Sequence, residues 1–270
     1  MGSQDIFAGQ AADPSILAAL YDLEHDAVTE DLPFYHDLAQ RADGDILELG
    51  CGSGRLVASL LPFGPARYVG VDGSATLLHR ARDRVAGQSS LAAAARDGRL
   101  TLRLGDVRRL GSLRLGRFGL VVAAGVLPHL DGPTGVVRML RSARSRLAPG
   151  GRLVLDDLGP ALLPTRDLGW SVDWRRRWGD RRVVRRSQLV RHEESGGTWV
   201  AFSTVAEVTE ADGTIARLPA SHRLWYPSAS TLVELLTRAG LTIERTHGSH
   251  DLEPLGASSE RSIYVVGRQE

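Results

Sequence analysis

The chain has 270 residues, of which 33 are basic and 32 acidic, for a formal net charge of +1. That balance offers neither a nucleic acid nor a membrane surface a field to follow, which argues against both as partners. The single cysteine, Cys51, excludes an internal disulfide and a cysteine-rich metal site, and the length suits one sizeable α/β domain carrying an insertion.

The N-terminal stretch MGSQDIFAGQ lacks a basic start and an apolar core, and no apolar run approaches bilayer-spanning length, so a cytosolic protein is expected. Every basic residue is arginine, which fits a G+C-rich bacterial source. Asp13-Pro14 opens a helix whose face carries Ile16, Leu17, Leu20 and Tyr21, and a second helix entered near Asp31-Leu32-Pro33 carries Phe34, Tyr35 and Leu38. Residues 45–49 alternate toward a buried strand, Gly50, Gly52 and Gly54 punctuate a turn, and residues 55–61 have helical spacing. Residues 68–71 form a second strand that ends at Asp72. Strand, glycine turn, helix, strand and acid make the first half of a nucleotide-binding α/β sheet.

A backbone that turns sharply against a ligand tolerates no Cβ, and an acid at the next strand end accepts from ribose hydroxyls. The glycines are spaced GxGxG, not the GxGxxG of a dinucleotide fingerprint, and Glu48 stands two residues before them. A carboxylate there repels a pyrophosphate and suits a ligand with positive charge, which counts against a NAD-dependent oxidoreductase.

Residues 73–85 read as a helix with Leu77 and Leu78 toward the sheet, 87–99 as a helix end and loop, and 100–104 as a third strand ending at Gly105-Asp106-Val107. Residues 118–124, FGLVVAA, are continuously apolar and predict a strand buried on both faces, running into Gly125-Val126-Leu127-Pro128-His129. A helix over 136–147, a turn at Pro149-Gly150-Gly151 and a fifth strand over 152–156 follow. Residues 158–178 read as a linker and helix on which Trp170, Trp174 and Trp178 share a stripe. That stripe is either an amphipathic cover, an aromatic wall for a flat or cationic substrate, or an indole platform for nucleic acid. Three strands over 181–191, 198–208 and 215–225 predict an antiparallel insert. A helix over 232–239, strands over 241–246 and 263–266, and a loop over 248–260 complete the chain.

The string ELGCGSG, together with Asp72, resembles the first two motifs of the class I S-adenosylmethionine-dependent methyltransferases, with further landmarks at 105–107 and 147–155. The resemblance covers residues 40–157. It implies a Rossmann-like seven-stranded α/β sheet of order 3-2-1-4-5-7-6 with the last strand antiparallel. An N-terminal helical lid (1–40), a cofactor-binding core (41–160), a linker helix and antiparallel β insert for substrate or dimer contacts (161–228) and a C-terminal helix with two strands (229–270) would follow. It implies S-adenosylmethionine as cofactor and S-adenosylhomocysteine as product, contacted by Tyr21, Glu48, Gly50, Cys51, Gly52, Gly54, Asp72, Gly73, Leu77, Gly105, Asp106, Val107, Ala124 and Gly125. Asp106 would accept from the adenine amino group or cap the following turn. Tyr21, in LYDLEH, resembles a lid tyrosine of amino-sugar N-methyltransferases; the alternative is a core tyrosine.

His129, beyond the fourth strand, is the expected catalytic base, with packing beside Pro128 as the alternative. Substrate contacts are expected from Phe34, Tyr35, His129, Trp170, Trp174 and His222, with His25, His247 and His250 as weaker candidates. Asp156 or Asp157 could orient a substrate amine or cap a turn. No histidines have metal-ligand spacing and no Ser-His-Asp arrangement appears. The expected activity is methyl transfer to nitrogen, slightly ahead of oxygen, of a small molecule in bacterial natural-product biosynthesis. The alternatives are an RNA methyltransferase using residues 170–186, a C-methyltransferase, or a binding protein without turnover. The insert offers a homodimer surface.

Overall fold

The computed structural model describes residues 6–7, 10–61, 64 and 66–269, so residues 1–5 and 8–9 of the expected lid lie outside the described set. β1 (Ile46–Leu49), buried at all four positions, is the axis of the core sheet. It pairs in parallel with β2 (Tyr68–Asp72) on one side and β4 (Phe118–Ala124) on the other. β3 (Leu100–Leu104) lies outside β2, and β5 (Leu147–Leu158) outside β4. The chain leaves β1 toward β2 and β3 and returns to β1's other flank, so β1 marks the point where strand order reverses. A crevice opens there at the carboxyl ends of the strands.

Helices cover both faces of this sheet. Asp13 caps α1 (Pro14–His25) by accepting from the Ser15 amide, and α2 (Leu32–Gln40) follows with proline in its first turn. α3 is confined to Val57–Leu60, shorter than the 55–61 expected, because the glycine turn runs on through residue 56. Ser74 caps α4 (Ala75–Gly87) through the Leu77 amide. The expected loop over 87–99 is instead a further helix, α5 (Ser89–Arg96). Extended backbone at Gln88 interrupts the spiral, and the alanine-rich stretch resumes it to bury Leu91 and Ala94 three residues apart. α6 (Gly132–Arg146) packs the opposite face through Val136, Met139, Leu140 and Ala143.

Residues 158–178 hold no α-helix. After a short 3-10 turn at Pro160–Leu162 the chain enters β6 (Leu168–Trp178), an edge strand antiparallel to β7 (Arg181–Glu194). The spacing that suggested a helical stripe is also an even number, and even spacings share a face in a strand as well. Burial alternates residue by residue from Ser171 to Trp178, the strand signature. β8 (Gly197–Thr209) and β9 (Ile215–Pro227) continue the order β6-β7-β8-β9, so the insert has four strands, not three.

α7 (Ala229–Arg238) then leads into β10 (Leu241–His247) and β11 (Arg261–Arg268). β11 runs antiparallel to both β5 and β10, giving the core order β10-β11-β5-β4-β1-β2-β3, the expected topology. α1 bridges the two sheets. Its Leu17 and Ala18 pack with Leu77 of α4, while Leu20 packs with Val183, Ala206 and Val208 of the insert. Arg176 of β6 donates to the carbonyls of Leu23 and Glu24, satisfying the open end of that helix. The insert's inner face is thereby held over the crevice. No helix among the described residues is long and apolar enough to cross a membrane.

Candidate active site

One cavity of about 790 Å³ runs from the glycine turn, under α1, to the inner face of the insert. The turn folds back on β2, with the Gly50 and Cys51 amides both donating to the Val71 carbonyl, at 2.7 and 3.1 Å. Gly50 and Gly52 adopt φ of +70° and +53°, and a Cβ at Gly50 would lie 2.7 Å from a Val126 methyl. A Cβ at Gly52 would lie 3.1 Å from the Tyr21 hydroxyl. Both positions require glycine for backbone and space alike. Asp72 locks the turn from across the crevice: its Oδ2 accepts from the Gly52 amide at 2.8 Å and its Oδ1 from the Ser74 amide at 2.7 Å.

Glu48, only 3% exposed, accepts from the buried Tyr68 hydroxyl. Burial pushes its pKa up to about 7 against the opposing pull of the Tyr68 hydrogen bond and of Arg55, and the Asp72 charge adds to the rise. Arg55 itself is committed to Asp31 through two hydrogen bonds of 2.7 Å, tying α2 to the turn. Burial likewise raises the Cys51 thiol.

At the other end, a short 3-10 turn over Leu127–His129, with Pro128 inside it, brings His129 to the cavity. His129 is exposed by surface area yet closely surrounded by protein. That enclosure lowers its pKa to about 4, with His222 and His25 adding to the effect. His129 and His222 stand edge to face with centroids 6.4 Å apart. Burial lowers His222 as well. His25 stacks on Tyr21 at 3.9 Å, and its Nδ1–H donates to the Tyr21 carbonyl. Burial also lowers the pKa of His25, which leaves the ring neutral.

The two acids at the end of β5 differ sharply. Asp156 is a hub that accepts from the Tyr35 hydroxyl, from His250 Nε2 at 2.8 Å and from Arg261 Nε and Nη2 at 2.8 and 2.6 Å. Burial alone would raise its pKa, but these donors hold it down. Burial and the neighbouring Asp156 charge push Asp157 up to about 7, against the pull of Arg261.

Comparison with known proteins decides the family. Residues 24–246 match the family described as "Methyltransferase domain", which is most of the chain. The chain belongs to that methyltransferase family. Among solved structures it is similar to the CcbJ methyltransferase from Streptomyces caelestis, with 24% identity, all of both chains covered and a TM-score of 0.77. It is also similar to CalS10, an S-adenosylmethionine-bound amino pentose methyltransferase from Micromonospora echinaspora (20%, 94% and 96% covered, 0.66). A third is the sugar N-methyltransferase KedS8 from Streptoalloteichus (18%, 100% and 98% covered, 0.69). No curated protein sequence matches it significantly.

S-adenosylmethionine is therefore the cofactor, and the glycine end of the methyltransferase cavity fits it. Gly50 and Gly52 leave no room for a Cβ against Val126 and Tyr21, and two carboxylates line the same end of the cavity. The nearby arginine is spoken for by Asp31, so the donor set suits a phosphate-free cation and not a pyrophosphate. If Glu48 faces the cationic end of the ligand, affinity must climb as pH rises through about 7, where its carboxylate forms. Calorimetric titration should show up to about tenfold tighter binding at pH 8 than at pH 6, and Glu48→Gln should flatten that difference.

Of the residues singled out in the sequence, Tyr21, Glu48, Gly50, Cys51, Gly52, Asp72, Gly73, Leu77, Val107, Ala124, Gly125, Tyr35, Trp174, His129 and His222 line the cavity. Gly54, Gly105, Asp106, Phe34 and Trp170 do not. Asp106 caps the next turn by accepting from the Arg108 amide at 2.8 Å, and it pairs with the Arg108 guanidinium. The Gly54 position is filled by α3 and α4, where a Cβ would meet Val57 and Ala81 at 3.2 Å. A Cβ at Gly105 would meet Leu113 at 2.7 Å, a packing position. Phe34 is buried behind the wall against Tyr35 and His250. Trp170 lies 51% exposed on the edge strand, while Trp174 and Trp178 pack inward, so no row of open indoles forms a nucleic-acid platform. His247 donates to the Leu252 carbonyl away from the cavity.

Sequence reasoning passed over Arg185, Phe202, Thr204 and Tyr226, which all line the methyltransferase cavity from the insert. Their signal was the two-residue alternation along β7 to β9, legible only once the partner sheet is known.

Proposed function

We propose that this methyltransferase alkylates an amino nitrogen of a small molecule held between the insert's inner face and the carboxyl ends of β4 and β5. The observation that carries the reading is the continuity of one cavity from the glycine cradle to His129 and His222. When bound, the cofactor supplies a methyl group on a cationic sulfur, already a good electrophile. The chain's own task is to bind, align and exclude water. α1 closes over Gly52 with Tyr21, and the insert walls off the acceptor.

His129 is neutral at physiological pH and accepts the proton that the acceptor nitrogen sheds. Attack by the neutral amine leaves an ammonium that sheds its proton after methyl transfer, so nitrogen asks less of the nearby imidazole than an alkanol would. Two of the structural neighbours named above act on amino or sugar substrates by their own descriptions, which supports nitrogen over oxygen. Natural-product biosynthesis in a bacterium is the setting in which such chemistry belongs.

Titration with S-adenosylhomocysteine should give micromolar-range affinity and NAD none. Labelled methyl should pass to amines in a panel of matched amines, alcohols and short RNAs. NAD binding, or label appearing only in RNA, would overturn the reading.

A further inference from the structure

Adjacent side chains of a strand face opposite ways, and the Asp156-Asp157 pair uses both directions. Asp156 turns toward α2 and gathers Tyr35, His250 and Arg261. Asp157 turns to the other face of β5, on the same side as Leu153 and Leu155, and lines the cavity near Tyr226 of β9. Neither of its carboxylate oxygens has a hydrogen-bond partner, and neither exposes as much as 1 Å² to solvent.

An acid stripped of water and of partners is costly, and an orphan of this kind in a folded chain calls for a specific cause. Among the described residues only Arg261 pulls on Asp157, and it is hydrogen-bonded to Asp156 instead. Three arginines line this cavity. Arg261 is engaged by Asp156, Arg55 by Asp31, and Arg185 by Glu24 at 2.7 Å and Asp173 at 3.0 Å. His129 and His222 are held neutral, and His250 donates to Asp156. Glu260 and Asp251 on the adjoining wall add negative charge. The acceptor end of the cavity thus contains one carboxylate that no hydrogen bond holds and that only the Arg261 charge, shared with Asp156, opposes.

We propose that Asp157 is the anchor for the acceptor: it pairs with the ammonium group of an amine-bearing small molecule and makes the cavity select cationic acceptors over alcohols of the same shape. The proposal rests on the small-molecule reading above and names the chemical class that the site takes. It assigns to Asp157 the binding of the resting ammonium, which gives one proton to bulk water to become the nucleophilic amine, while the second proton leaves the methylated nitrogen on the His129 side. The raised pKa of Asp157 agrees with a buried acid beside the Asp156 charge that no hydrogen bond holds ionised.

Matched probes test this on the full-length protein loaded with S-adenosylhomocysteine: glucosamine against glucose, and cyclohexylamine against cyclohexanol, by calorimetry or ligand-observed NMR at pH 7.5. Each amine should bind at least about tenfold more tightly than its alcohol. D157N should erase that preference while leaving S-adenosylhomocysteine affinity and the thermal midpoint at or above wild type, because no native contact is lost. Equal binding of amine and alcohol to the wild type would overturn the proposal, as would a preference that survives in D157N. A D157N protein that fails to fold or melts well below wild type would show a structural acid and overturn it too. Absence of S-adenosylhomocysteine binding by the wild type is a separate failure, that of the enzyme reading itself.

Discussion

Asp72→Ala is expected to weaken S-adenosylmethionine binding by about 1–3 kcal/mol, roughly 5- to 150-fold. Two losses combine. The carboxylate holds the Gly52 and Ser74 amides at 2.8 and 2.7 Å, so its removal frees the turn that shapes the cradle. The carboxylate also stands at the end of β2 on the cavity wall, where an acid is expected to accept from the ribose hydroxyls. Asp72→Asn separates the contributions, since it keeps one oxygen for the turn and removes the charge. Calorimetric titration of both variants with S-adenosylhomocysteine gives the answer. Wild-type affinity in Asp72→Ala would take Asp72 out of the binding site.

Turnover carries the second large effect. His129→Ala should lower kcat by about a hundredfold and leave cofactor affinity near wild type. Surrounding protein lowers its imidazole below the ordinary value, so the base form dominates at neutral pH. Wild-type kcat should therefore show no break near 6.5 from this residue, unlike an ordinary histidine. Single-turnover measurements with saturating cofactor isolate the step. A loss below about threefold would show that the nucleophile arrives already deprotonated, or that neutral His25 or His222 serves instead.

The cofactor half was legible in the sequence because its chemistry is local. Glu48, the glycines and Asp72 lie within 25 residues, and backbone demands at Gly50 and Gly52 leave no alternative side chain. The acceptor half was not, because its walls come from β5, β7, β8, β9 and the loop before β11, far apart in the chain. The tryptophan stretch failed for a different reason. A four-residue spacing satisfies helix and strand alike, and only the pairing of Arg175 through Trp178 with Arg181 through Val184 decides between them. Asp106 caps its own turn, one of the two roles that position alone left open. Asp156 and Asp157, side by side in the sequence, could not be told apart until Tyr35 and Arg261 chose one of them.

The placement of the insert between β5 and β11 has a consequence for how the molecule is made. β5 pairs with β11 only after roughly a hundred further residues have emerged, as the separation of 105 between Asp156 and Arg261 records. Until then the growing chain carries a bare, strongly apolar strand edge at the ribosome, the kind of template on which chains stick to one another. Long-range closure of this sort is slow. The C-terminal stretch also delivers His250 and Arg261 to Asp156, so a chain stalled or clipped before residue 250 leaves both the sheet and the reaction chamber unfinished.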